Sequence, residues 1–181
     1  MKLWLARHAQ PLIEPGVCYG ATDVSANESM TLQAAQTLAQ ILPQTTQVSS
    51  SPLQRCELLA HFLRGFRPDL TYETDARLAE MNFGCWEGWR WDAIPPQAYD
   101  DWTDAFGSHR FGGHESVNEF MQRVAGAWRD AQRSGRDAVW ITHAGVMRAA
   151  SLLARGVHQI DQASQWPREA PDFGRWCVFE V

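Results

Sequence analysis

Two short apolar runs in this chain each end in a histidine. Trp4-Leu5-Ala6 leads straight into Arg7-His8-Ala9, and Ala138-Val139-Trp140-Ile141 leads into Thr142-His143-Ala144-Gly145. Short apolar runs bounded by polar residues read as strands buried inside a sheet. In open α/β sheets the rim beyond the carboxyl ends of the strands is where ligands bind. The two runs therefore bring two imidazoles and a guanidinium to that rim, a set suited to an anion. Taken alone, Arg7-His8 is equally consistent with a surface charge beside a hydrogen-bonded histidine.

The rest of the chain supplies the layers such a sheet needs. Met30, Leu32, Ala35, Leu38, Ala39 and Leu42 fall at helical spacing, and Pro43 ends the run. Gln47 to Ser50 reads as a second strand. Ser51-Pro52-Leu53-Gln54 predicts a helix start with Ser51 as cap and Gln54 completing a capping box, and the helix runs to about Leu63 with Arg55 in its first turn. Leu70 to Thr74 suits a strand, Gly84 to Trp91 a loop, and Trp91 to Phe106 a helix interrupted near Pro95 and Pro96. Ser116-Val117-Asn118-Glu119 is a second capping box, opening a helix to about Arg133. Ala138 to Thr142 is a strand, Val146 to Arg155 a helix and Arg175 to Val181 a last strand. Strands interleaved with helices predict a three-layer α/β/α sandwich around a mostly parallel sheet. No repeat, low-complexity tract or linker divides residues 1–181, which read as one domain.

Composition narrows the function classes. A net charge of −5 gives no reason to expect nucleic acid or an anionic membrane as partner. Cys18, Cys56, Cys85 and Cys177 are scattered without a C-x-x-C pair, against a disulfide framework or a structural zinc. Arg7 and His8 interrupt any signal-peptide pattern at the amino terminus, and no apolar run has the roughly 20 residues of a membrane span. The cytoplasm is the expected location.

Three further segments carry chemistry. Arg55 sits at a helix start that follows a strand, where free backbone N–H groups and the helix dipole favour anions. In Arg77-Leu78-Ala79-Glu80-Met81-Asn82-Phe83-Gly84-Cys85-Trp86-Glu87-Gly88, both Glu80 and Glu87 are candidates for a general acid, and the residues alone do not separate them. The small residues after His143 permit close approach of backbone or ligand. His61, His109, His114 and His158 share no metal-ligand spacing.

Arg7-His8-Ala9, Ser51-Pro52-Leu53-x-Arg55, Leu78-x-Glu80 leading into Phe83-Gly84-x-Trp86-Glu87-Gly88, and Thr142-His143-Ala144-Gly145 together resemble the histidine phosphatase superfamily, in its phosphoglycerate-mutase-like branch. The motifs stand in the family's order. The resemblance implies a phosphomonoesterase in which His8 becomes a phosphohistidine. It implies that Arg7, Arg55 and His143 hold the phosphoryl oxygens, that Glu80 donates the proton, and that no metal or other cofactor takes part. Ala9 stands where much of the family has glycine, and Gln10-Pro11 replaces the usual Glu-Thr.

A narrower similarity comes from Gly16-Val17-Cys18-Tyr19-Gly20-Ala21-Thr22-Asp23-Val24 and Trp91-Asp92-x-Ile94-Pro95, taken with the Phe83 to Gly88 motif. These resemble the α-ribazole phosphatases of cobalamin biosynthesis. Tyr19, Trp86, Trp89, Trp91 and Trp102 are candidates to stack on a flat base; core and lid packing is the alternative for each. Glu115, in Gly112-Gly113-His114-Glu115-Ser116, is a candidate for the pocket mouth. The partner expected is a small-molecule phosphate ester, and monomer and homodimer both stay open. The alternatives are a broad sugar or nucleotide phosphatase, a phosphoglycerate-mutase-like enzyme, and a non-catalytic phosphate-binding or docking domain.

Overall fold

A computed structural model describes residues 1–181. Five strands form one sheet: β1 (Lys2–Arg7), β2 (Gln47–Ser50), β3 (Thr71–Thr74), β4 (Ala138–Thr142) and β5 (Trp176–Glu180). Their order is β3-β2-β4-β1-β5, parallel throughout except for β5, which runs antiparallel to β1 at one edge. Successive side chains on a strand face opposite sides of the sheet. Leu3 and Leu5 of β1, with Ala138 and Trp140 of β4, accordingly pack under α4 (Val117–Ser134) and α5 (Ala144–Leu153). Trp4 and Ala6, with Val139 and Ile141, pack on the other face under α1 (Glu28–Ile41) and α2 (Gln54–Phe66). Burying each such large side chain contributes about 1.5–3 kcal/mol. The α/β/α sandwich is the arrangement that the interleaved elements predict.

Local signals place most of the helices. Asn27 caps α1 by accepting from the Met30 N–H at 2.9 Å, just ahead of the apolar periodicity. Ser116 and Glu119 form the predicted capping box of α4. The proline pair interrupts the third helical stretch as expected: a 3₁₀ turn covers Trp91–Ala93, Pro95 is extended, and α3 runs from Pro96 to Asp104. The predicted loop from Gly84 also contains a 3₁₀ turn, Gly84–Trp86. Helix α5 begins two residues earlier than the periodicity indicates, because Ala144 and Gly145 belong to its first turn.

The start of α2 departs from expectation. The helix begins at Gln54 with Leu53 in the cap position and no side-chain cap, so the predicted capping box is absent. Ser51 extends β2 by one further backbone bond, its N–H donating to Ile141 O at 2.9 Å, and its hydroxyl is drawn into the site below. The Gln54 N–H is taken instead by Asp23 Oδ1 at 2.7 Å. A carboxylate therefore already occupies this helix start, and the anion-binding role expected of its N–H groups is met from within the chain.

Candidate active site

The register of the central strands sets the site. Arg7 pairs with Thr142 across β1 and β4, so the next residues, His8 and His143, leave the sheet side by side. Their ring centroids are 5.1 Å apart and both side chains are buried. β2 lies on the other side of β4 and delivers Ser51 to the same rim.

His8 Nδ1 lies 2.7 Å from Ala9 O. A carbonyl oxygen only accepts, so Nδ1 carries the hydrogen and Nε2 of the neutral ring keeps its lone pair. Burial first, then Arg55 and Arg7, lowers the His8 pKa to about 3; the bond to Ala9 opposes the shift. The ring is thus uncharged and nucleophilic at ordinary pH.

Arg55, fully buried, reaches three acceptors. Its Nη2 donates to Gly20 O at 2.6 Å, its Nη1 to Thr22 O at 2.9 Å and its Nε to His143 Nδ1 at 3.3 Å. With Nδ1 of His143 accepting, Nε2 bears the hydrogen and donates to Ser51 Oγ, 2.8 Å away. Burial, then Arg55 and His8, keeps His143 well below the usual imidazole range. Arg7 stacks on Phe173, its guanidinium carbon 3.9 Å from the ring centroid, and donates from Nη1 to Pro171 O at 2.9 Å. Its other donors have no protein acceptor, and the buried Nε is unpartnered. Unpaired donors of a half-buried guanidinium beside two neutral imidazoles suit an anionic ligand.

Glu80 follows the 3₁₀ turn Ala76–Leu78 and reaches over to α5. Its Oε2 accepts from the Gly145 N–H at 3.0 Å and its Oε1 from the Met81 N–H at 3.1 Å. Arg123 of α4 secures the backbone beneath it, donating to the carbonyls of Arg77, Ala79 and Glu80 at 2.8, 2.7 and 2.9 Å. Thr142 Oγ1 adds a bond to Leu78 O at 2.8 Å.

The geometry separates the two glutamates. Glu87 gathers backbone N–H groups of the Gly20–Thr22 loop, whereas Glu80 meets the Gly145 N–H, two residues beyond His143. Glu115 pairs with Arg123 at 2.7 Å and accepts from Asn82 N–H at 3.1 Å, and it does not line the cleft beside Glu80. Burial of the Arg123 head group beside the loop requires a counter-charge, and Glu115 supplies it.

A cleft of about 440 Å³ opens beside Glu80 and Gly145, walled by Phe83, Phe106, Phe120 and Trp166 with Arg148 among its few polar groups. Of the aromatics singled out in the sequence, only Trp102 lines it. Trp102 stacks against Phe111 at 4.3 Å and against Phe106 at 5.2 Å, so its ring is already engaged in aromatic packing. Trp86 and Trp91 pack around Phe111, Trp89 sits edge-on to Trp86, and Tyr19 lies 5.5 Å from the Arg55 guanidinium. Phe111 is a fully buried hub that competes for these faces. Trp166, Pro171 and Phe173 were not singled out by sequence, since the stretch after α5 carries no periodicity.

Residues 3–171 match the family model of the histidine phosphatase superfamily (branch 1). No curated protein sequence matches this one. Among solved structures, the chain is similar to the mycobacterial glucosyl-3-phosphoglycerate phosphatase Rv2419c, with a TM-score of 0.81 at 22% identity, covering 98% of this chain and 88% of that one. It is also similar to the protein TTHB049 from Thermus thermophilus, with a TM-score of 0.69 at 27% identity, covering 98% and 92%.

Proposed function

The chain belongs to the histidine phosphatase superfamily (branch 1), and from that premise we propose that it hydrolyses phosphate monoesters through a phosphohistidine on His8. The observation that carries this reading is the His8 ring itself: Nδ1–H held on Ala9 O, and Nε2 left unprotonated between Arg7, Arg55 and His143.

In the proposed reaction the phosphomonoester dianion sits among Arg7, Arg55 and His143; the free N–H groups of the two guanidiniums take non-bridging oxygens, and the Nε2–H of His143 turns from Ser51 Oγ to another. Nε2 of His8 attacks phosphorus, forming the N–P bond as the bond to the ester oxygen breaks. The departing alkoxide takes a proton from the Glu80 carboxyl and leaves as the alcohol. Glu80, now ionised, removes a proton from water, whose oxygen attacks phosphorus and displaces Nε2. Inorganic phosphate departs, and His8 and protonated Glu80 are restored. Guanidinium charge performs the transition-state stabilisation, so the step is balanced without a metal.

For the alcohol portion we propose α-ribazole 5′-phosphate as the substrate. The Gly16 to Val24, Phe83 to Gly88 and Trp91 to Pro95 segments support it, as does an apolar, aromatic-walled cleft beside the proton donor. A second reading, a sugar or nucleotide phosphatase, is favoured by Arg148: it lines that cleft with no salt-bridge partner, and its Nε is unpartnered, which suits an acceptor-rich alcohol. Hydrolysis of p-nitrophenyl phosphate in EDTA by wild type, with loss in His8→Ala, is the expected result. Loss of all activity with EDTA, or full activity in the variant, contradicts it. Turnover of α-ribazole 5′-phosphate against a panel of sugar and nucleotide phosphates then decides between the two substrates.

A further inference from the structure

We propose that Glu87 is a positioning residue for the phosphoryl site, acting through the Gly20–Thr22 loop on Arg55; the proposal rests on the reading of Arg55 as a phosphoryl ligand. The Glu87 carboxylate accepts at Oε1 from the N–H groups of Ala21 and Phe83, at 2.9 and 3.0 Å. At Oε2 it accepts from the N–H groups of Gly20 and Thr22, both at 2.9 Å, and from the Thr22 hydroxyl. Four backbone amides and a hydroxyl thus converge on one side chain.

The other side of the same loop holds Arg55. Gly20 and Thr22 give their N–H groups to Glu87 and their carbonyl oxygens to Arg55, at 2.6 and 2.9 Å. Arg55 is fully buried and has no carboxylate partner, so these carbonyls and His143 are its protein acceptors. The direction of its two remaining Nη hydrogens therefore follows the loop. Close packing reinforces the shape: a Cβ on Gly20 would stand 1.9 Å from Met81 O and 3.0 Å from Glu87 Oε1.

Only a carboxylate matches this set of donors. Glutamine offers one acceptor oxygen and turns two N–H hydrogens toward donors, so Glu87→Gln loosens the loop at the same volume. Burial raises the Glu87 pKa, but the bonds from Thr22, Gly20 and Phe83 outweigh it and keep the group below its ordinary value, ionised as the clamp requires.

The test is a double-mutant cycle on the full chain, using p-nitrophenyl phosphate kinetics and inorganic phosphate binding by calorimetry. A small misplacement of a positioned group costs up to about 100-fold. Glu87→Gln is expected to lower kcat/KM by about 10-fold to 100-fold and to weaken phosphate binding, whereas Glu87→Gln with Arg55→Ala is no worse than Arg55→Ala alone. Wild-type kinetics in Glu87→Gln, or losses that multiply in the double variant, overturn the proposal. Should Glu87→Gln fail to fold, Thr22→Val removes one donor at little change in volume. It is expected to give a smaller loss of kcat/KM that disappears in the Arg55→Ala background, and unchanged kinetics in Thr22→Val count against the clamp. A wild-type protein that turns over no phosphate ester refutes the phosphatase reading instead. In that case phosphate binding still reports on Glu87, because calorimetry needs no turnover.

Discussion

Glu80 and Gly145 meet across the site, the carboxylate Oε2 accepting the glycine N–H at 3.0 Å, two residues beyond His143. The contact exists because Gly145 lacks a side chain: a Cβ there would stand 2.1 Å from Glu80 Oε1. Alanine is otherwise favourable in the first turn of α5. Gly145→Ala is therefore expected to displace the proton donor, not to unfold the helix. General acid catalysis contributes about 10²- to 10⁴-fold, so kcat on an alkyl phosphate should fall within that range while inhibition by inorganic phosphate changes little. Unchanged kcat would remove Glu80 from the proton-donor role at this position.

The second prediction concerns the leaving group. An alkoxide needs a proton as the ester bond breaks, whereas p-nitrophenolate leaves without one. Glu80→Gln should therefore slow alkyl phosphate hydrolysis by about 10²- to 10⁴-fold and slow formation of the phosphoenzyme from p-nitrophenyl phosphate far less. Pre-steady-state release of p-nitrophenol, compared with turnover of an alkyl ester, makes the measurement. Equal losses on both substrates would mean that Glu80 does something other than protonate the leaving group.

Buried neutral histidines make stability depend on acid. His8 is held down to about 3 by burial, Arg55 and Arg7, against 6.5 in the unfolded chain. Between those values the unfolded state binds a proton that the folded state does not, so stability rises with pH across the window. The contribution is whole above 6.5 and is lost as pH falls toward 3, at about 1.4 kcal/mol per pH unit for each proton. His143, also depressed, acts with the same sign. Denaturant unfolding should show stability falling from neutral pH toward pH ~4, with a shallower fall in His8→Gln. An unchanged slope in that variant would mean His8 takes up its proton in the folded state.

Much of this was legible in the sequence where local rules decide. β1 and β4 declare themselves by uninterrupted apolar runs, and because each ends where the run ends, His8 and His143 fall at the sheet rim. Ser116 and Glu119 mark the start of α4 because a capping box is closed within four residues. The failures are long-range. Ser51 and Gln54 have the local pattern of a cap, yet the Ser51 hydroxyl is claimed by His143 and the Gln54 N–H by Asp23. Glu80 and Glu87 look alike in sequence; their roles part only because one meets α5 and the other the Gly20–Thr22 loop. Phe173 and Pro171, which back Arg7, lie in a stretch with no periodic signal.

The central claim is that Nε2 of His8 accepts the phosphoryl group, and rapid quench into base during p-nitrophenyl phosphate turnover tests it most directly. Phosphohistidine survives base and is lost in acid, so peptide mapping of the quenched protein locates the phosphoryl group. The account predicts an acid-labile, base-stable phosphate on the peptide containing His8, formed within the first turnover and missing in His8→Ala. Phosphate found on another residue, or an undiminished signal in the His8→Ala protein, would contradict it.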